Sequence, residues 1–279
     1  MSLDVSVTPE AVGGFADREI RRSVLGRWGR RIGVVFGWVG FLAVWYGVSL
    51  FLLGSRQLPL PHDVAGEALE IITGEGFGST LWASIARVFG GCLLALLLSV
   101  FFGVLIANSN WWRDLLRSLT RFFVSIPTVA LAILALTVFG VSGLGPMVTA
   151  TLVATPYVMS SVAQGLAGVD RRLIVMSESF ARTRSQIVLG VLLPSSVLAM
   201  VGGARQAFAL AWRISLLTEV FAASDGVGFQ IRRSFEGYDM RALLAWTLIF
   251  ILLMFAFESL LFRQLERRLF GGAGRGAGR

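Results

Sequence analysis

The sequence predicts an all-α integral membrane protein with six transmembrane helices and both termini in the cytoplasm. Three observations carry this. The 279-residue chain is 55% hydrophobic with mean hydropathy +0.74, and only 15% of it is charged, against about 25% in soluble domains. Six apolar runs approach or exceed the roughly 20 residues that a helix needs to cross a hydrocarbon core. The arginines are also shared unevenly between the segments that join those runs.

The runs, in order, are residues 32–53, 81–107, 122–140, 146–166, 188–220 and 243–262. The second is longer than a bilayer requires, so its first turns are expected outside the core. The third contains Pro127 and the fourth Pro156. A proline removes one helical hydrogen bond and clashes with the preceding turn, so both are candidate hinges, with helix packing as the alternative reading. Residues 1–31 end in a run of arginines and are too long and too charged for a secretory leader; they are expected to be a cytoplasmic tail. Residues 32–270 form the transmembrane domain and 271–279 a flexible C-terminal tail.

Every one of the 25 basic residues is arginine. With the N-terminus inside, segments 1–31, 109–121, 170–190 and 263–279 hold eighteen of them, the outer segments hold four, and Arg87, Arg205 and Arg213 fall within spans. An excess on one side is the positive-inside pattern. The absence of lysine excludes a phosphate-cradling P-loop and Schiff-base chemistry. One cysteine (Cys92) and one histidine (His62) exclude a disulfide and a structural zinc site. His62 reads as a solvated loop residue. No catalytic constellation remains, so no cofactor is expected and any ATP energy must arrive from a partner.

The polar stretch 170–190 lies between the fourth and fifth runs. Asp170 is placed to cap a short helix with Leu173, Ile174 and Phe180 on its apolar face, and a second helix starts near Arg184. This suits a docking element, with a solvated loop as the alternative.

This stretch, with "LLPSS" after it, resembles the coupling loop of binding-protein-dependent ABC transporter permeases. That pattern runs Glu-Ala-Ala, three residues, Gly, about a dozen residues, then Leu-Pro. Anchored on Pro194, it sets Arg182-Thr183-Arg184-Ser185-Gln186-Ile187 on the family's Ala-Ser-Arg-Trp-Gln-Ile, with Arg184 on the Arg. It also sets Val175, Met176 and Ser177 where Glu-Ala-Ala is expected, and Ala181 where the Gly is expected. A second register puts Glu178 on the motif's Glu and shortens the distance to Pro194 by three residues. "LPLPHDV" (58–64), "STLWASIARVFGG" (79–91), "RFFVSIPTVALAILALTVFG" (121–140), "GGARQAFALAWRISLLTEVFAASDGVGFQIRRS" (202–234) and "LERRLF" (265–270) resemble the nitrate, sulfonate and taurine importer branch.

The resemblance implies a type I ABC importer permease fold in a bacterial inner membrane. It also implies two ATP-binding subunits, an extracytoplasmic substrate-binding protein and a second permease, by default an identical one, with no nucleic acid partner. Ser177, Glu178, Phe180 and Ala181 would lie nearest the ATPase.

Charges inside spans are expensive and tend to face a cavity or a partner. Arg205, Arg213 and Glu219 are therefore candidates for the translocation path of an anion. The alternatives are that Arg205 pairs with Glu258 and that Arg213 snorkels to the surface. Arg87 reads as an interfacial anchor. An ion-coupled secondary transporter and a non-transporting scaffold remain as rival functions.

Overall fold

The apolar runs become helices because nothing in them competes with intrasegment hydrogen bonding, the only way to satisfy a backbone in lipid. The computed structural model describes residues 33–270; the expected tails, 1–31 and 271–279, lie outside them.

Helix α1 (Gly33–Leu52) closes in a π-helical stretch, Val48–Leu53. Just beyond it the chain folds back. Trp45 Nε1 donates to the Pro59 carbonyl at 3.1 Å, and Tyr46 stacks on His62 with its hydroxyl 2.8 Å from Nδ1. His62 is thus not in a loop but in the first turn of α2 (Pro61–Thr73).

The chain then forms α3 (Phe77–Asn108), α4 (Asn110–Ser125), α5 (Thr128–Phe139) and α6 (Leu144–Ala167). Two short helices, α7 (Arg171–Ser179) and α8 (Arg184–Ile187), precede a π-helical turn, Val188–Leu192. Helices α9 (Leu193–Ala222), α10 (Val227–Glu236) and α11 (Met240–Phe270) complete the chain. No strand occurs among the described residues.

Four helices are long and apolar enough to cross a membrane alone, and two bent segments bring the number to six if each is counted as one span. The first is α4 with α5, which meet at 91°. Here the structure corrects the sequence reading. Pro127 does not kink a span over 122–140; it precedes α5 at a corner, and residues 122–125 belong to α4. The cause is local: a proline drives its predecessor out of the helical region, and Ile126 is extended at φ −72°, ψ 125°. The second bent segment turns by 61° between Ser185–Val197 and Met200–Ala222. Pro156, by contrast, lies buried inside α6, which continues through it. Ser99 Oγ donates to the Thr155 carbonyl beside it at 3.1 Å.

α3, α6 and α9 form the centre of the bundle. Their contact is built from small side chains, including Ala95, Ala150, Ala154, Ala207 and Ala211, all almost fully buried. In lipid, small residues permit the backbone approach that dispersion contacts require. Gly91 shows how close this is: a Cβ there would lie 2.8 Å from the Ala150 Cβ and 2.9 Å from the Met147 carbonyl oxygen. Next to this seam Trp212 is enclosed by Phe208, Phe250 and Phe257, at centroid distances of 5.5, 4.8 and 5.7 Å.

Candidate functional site

The candidate residues fall at opposite ends of the central three helices. At one end α6 leads into α7, whose formation follows from its two caps. Asp170 accepts a hydrogen bond from Arg172 N at 2.9 Å, satisfying an orphan amide of the first turn. At the other end Ala181 N donates to the Glu178 carbonyl at 2.9 Å and Arg182 N to the Ser177 carbonyl at 3.3 Å. This bond pair is a Schellman termination. It requires a left-handed residue, and Ala181 takes that role at φ +53°.

Glycine is the residue suited to such a position. The register anchored on Pro194 sets the motif's glycine on Ala181, whereas the Glu178 register sets it on Arg184, inside α8. Backbone geometry favours the Pro194 register. α8 begins in a capping box, with Gln186 Oε1 accepting from Thr183 N at 2.9 Å. Pro194 follows the π-helical turn, where Leu193 N reaches back five residues to the Val188 carbonyl.

Between its caps α7 buries nothing. Leu173, Met176 and Phe180 share one side by their spacing of three and four, and they are 46, 59 and 71% exposed. Val175 and Glu178 are exposed as well, and Ser177 is half-exposed. The face expected to include Ile174 is split: Ile174 instead lines an open cavity of about 980 Å³ bordered by α3, α4, α6, the α7–α8 segment and the π-helical turn.

At the opposite end, Glu219 is not at an open mouth. It is completely buried, and both of its oxygens are engaged. Oε1 lies 3.1 Å from Arg87 Nη1, while Oε2 accepts from Ser84 Oγ at 2.7 Å and from Gly228 N at 3.0 Å. Arg87 also donates to the Asp225 carbonyl at 3.0 Å and to the Asp225 carboxylate. Arg87, read from the sequence as an interfacial anchor, is therefore the centre of a buried cluster, 8% exposed.

The cluster caps two helices reciprocally. Ser84 Oγ accepts from Val227 N at 2.8 Å, so side chains of α3 and α9 satisfy the first amides of α10. In return Arg232 of α10 donates to the Val220 and Ala223 carbonyls, at 3.1 and 3.0 Å, at the end of α9. Gly226 makes this approach possible at φ +95°, where a Cβ would meet Arg87, Glu219 and Ser84 within 2.8 Å.

Arg205 lies between the two ends, half-exposed, with Nε 2.9 Å from Glu258 Oε1 on α11 and its guanidinium 5.9 Å from the Phe262 ring centre. The alternative of a structural pair is thus what the structure displays. Arg213 is exposed on α9 and has no ion-pair partner among the described residues. None of Arg205, Arg213 and Glu219 is among the residues that line the cavity of about 980 Å³. Sequence reasoning missed Ser84, Asp225 and Gly226; the one available signal was the glycine-containing turn after an in-span glutamate. No group of side chains among the described residues could hold a metal ion.

The family model described as "Binding-protein-dependent transport system inner membrane component" matches residues 99–271. The chain belongs to this family. Its members are multi-pass permeases of the bacterial inner membrane, transport subunits rather than enzymes. The taurine transport system permease protein of Escherichia coli is 28% identical over 235 residues, 82% of this chain and 85% of that one. A probable ABC transporter permease protein of Brucella melitensis is 28% identical over 81% of this chain and 90% of its own. The nitrate import permease protein of Synechococcus elongatus is 24% identical over 68 and 72%. Among solved structures, an inward-facing form of the MetNI methionine ABC transporter aligns with TM-score 0.60 at 20% identity, covering 70% of this chain and 99% of that chain. The family permease therefore has the type I importer fold.

Proposed function

We propose that this permease is the membrane subunit of an ATP-driven importer for a small anion of the sulfonate, taurine or nitrate kind, delivered by an external binding protein. Two copies of an ATP-hydrolysing partner would dock on α7 of two identical permeases, with both termini cytoplasmic. The observation that carries this reading is the unpartnered apolar side of α7. Leu173, Met176 and Phe180 are exposed on a helix fixed at both ends by caps, the form that helix-in-groove recognition uses. A helix seated in a partner's groove transmits a rigid-body shift, and α8 and the π-helical turn carry that shift directly into α9. Val175, Ser177, Glu178, Ala181, Arg182 and Arg184 border the same contact, with Pro194 where the segment enters α9.

The anionic substrate class is supported by the names of the relatives and by Arg213, exposed on α9 and without an ion-pair partner among the described residues. Arg205 would join it if its pair with Glu258 opened during the cycle, whereas Glu219 serves the path only by holding its wall. Pro127 and the bend in α9 are better placed than Pro156 to act as hinges.

The test is affinity purification from native membranes, with mass identification of partners and an ATPase assay. Recovery of an ATPase that disappears in Met176→Asp/Phe180→Asp, while the variant stays monodisperse, is the expected result. A monodisperse wild-type protein that recovers no ATPase would overturn the reading and leave an ion-coupled transporter or a scaffold.

A further inference from the structure

We propose that the cavity between α4 and the α7–α8 segment binds the headgroup of an anionic phospholipid, beside the ATPase contact proposed for α7 and sharing Glu178 and Arg182 with its border. The first support is the placement of α4. It stands at 91° to α5, so where α5 runs across the bilayer α4 lies along its plane. Its composition suits that position: Trp111, Leu119 and Phe122 are exposed on one side, at 64, 40 and 63%. Arg113, Arg117 and Arg121 recur every four residues on the other. An apolar side with aromatic residues and a flank of arginines is the pattern of a helix seated at the headgroup level.

The second support is the cavity itself. The three α4 arginines line it together with Arg182 from the turn after α7, and Glu178 is the only carboxylate among its lining residues. Four exposed arginines and one carboxylate thus border about 980 Å³ of space. Arg113, Arg121 and Arg182 have no ion-pair partner among the described residues, and Arg117 has only Asp114 at 3.9 Å on the exposed surface. Guanidinium groups lining one space match a phosphate, which a guanidinium binds through two parallel hydrogen bonds. Leu116, Met159 and Leu192 give the same cavity an apolar wall, which a glycerol backbone and upper acyl carbons would cover and a free anion would not. Because the occupant would touch α4 and Arg182 at once, it would tie the loop segment to the membrane surface.

The experiment is native mass spectrometry of the full chain, alone and with any co-purified partner, after exposure to equal amounts of dioleoylphosphatidylglycerol and dioleoylphosphatidylcholine. The expected result is about tenfold preferential retention of the anionic lipid, in the complex as well as alone. Arg113→Gln/Arg117→Gln/Arg121→Gln abolishes the preference, and Arg182→Gln alone reduces it should the triple variant fail to fold. Arg171→Gln/Arg172→Gln, which removes nearby charge outside the cavity, leaves it intact. Equal retention of the two lipids by the wild type would overturn the proposal, as would equal loss in the control variant. So would loss of the preference once the partner is bound, which would assign the cavity to a protein segment. Displacement of the lipid by inorganic phosphate would assign it to a soluble anion.

Discussion

Replacing Glu219 by alanine removes the acceptor that Arg87, Ser84 and Gly228 N share at the junction of α3, α9 and α10. Glu219 has no exposed surface, so no solvent takes its place at once. Removing one partner of a buried ion pair costs about 3–5 kcal/mol, because the other charge stays buried. The Asp225 carboxylate still contacts Arg87 but is 60% exposed and therefore screened, which sets the expectation at the lower end, about 3 kcal/mol. Equilibrium unfolding in mixed micelles, followed by tryptophan fluorescence, reads this directly. The decisive comparison is the double variant Arg87→Met/Glu219→Leu. With only the largely exposed Asp225 charge left behind, it should lose less stability than the sum of the two single variants by well over about 1 kcal/mol. A loss below about 1 kcal/mol for Glu219→Ala, or strict additivity, would refute the claim that the pair is buried and coupled.

Ala181→Gly should raise stability by on the order of 1 kcal/mol, because it relieves a left-handed alanine; a lower unfolding midpoint would count against the Schellman turn. Gly91→Ala should destabilise the protein by about 1–3 kcal/mol in the same assay, since the added Cβ meets backbone as well as a side chain. Glu67 on α2, outside the spans, is held above the ordinary value of 4.5 by burial first and then by Asp239 and Glu70, with Arg241 opposing. Between 4.5 and its raised folded value the native state keeps a proton that the unfolded chain has released, so this residue's contribution to stability declines as pH rises. Thermal unfolding in buffers stepped upward from 4.5 should show that decline in the wild type and less of it in Glu67→Gln.

The long helices were legible because hydropathy and length alone decide them: the expected spans at 81–107, 146–166 and 243–262 lie within α3, α6 and α11. The cap at Asp170 was legible for a different reason, since an N-cap is a local event between a side chain and an amide two or three residues on; the start of the second helix near Arg184 was legible with it. The corner at Pro127 was not. A proline announces a break without stating its angle, and only the amphipathic pattern of α4 distinguishes a helix in the membrane plane from the start of a span. The Arg87–Glu219 pair was hidden for a third reason. Its members are 132 residues apart, and each alone reads as a charge near the end of a span. Sequence distance carries no information about that pairing; Arg205 and Glu258, 53 residues apart, were matched only as an alternative reading.

The reciprocal capping of α9 and α10 has a kinematic consequence. A turn between two helices is ordinarily a joint with several torsional freedoms. Here the amides of one helix are bound to side chains of its neighbours, and the carbonyls of the other to Arg232. The joint is locked, and α10 becomes a rigid crank on the end of α9. Any rotation of α9 beyond its bend, from Met200 to Ala222, would then reach the surface formed by α10 without slack. That surface and this part of α9 would move in phase, and no signal between them would need to be relayed through the neighbouring helices.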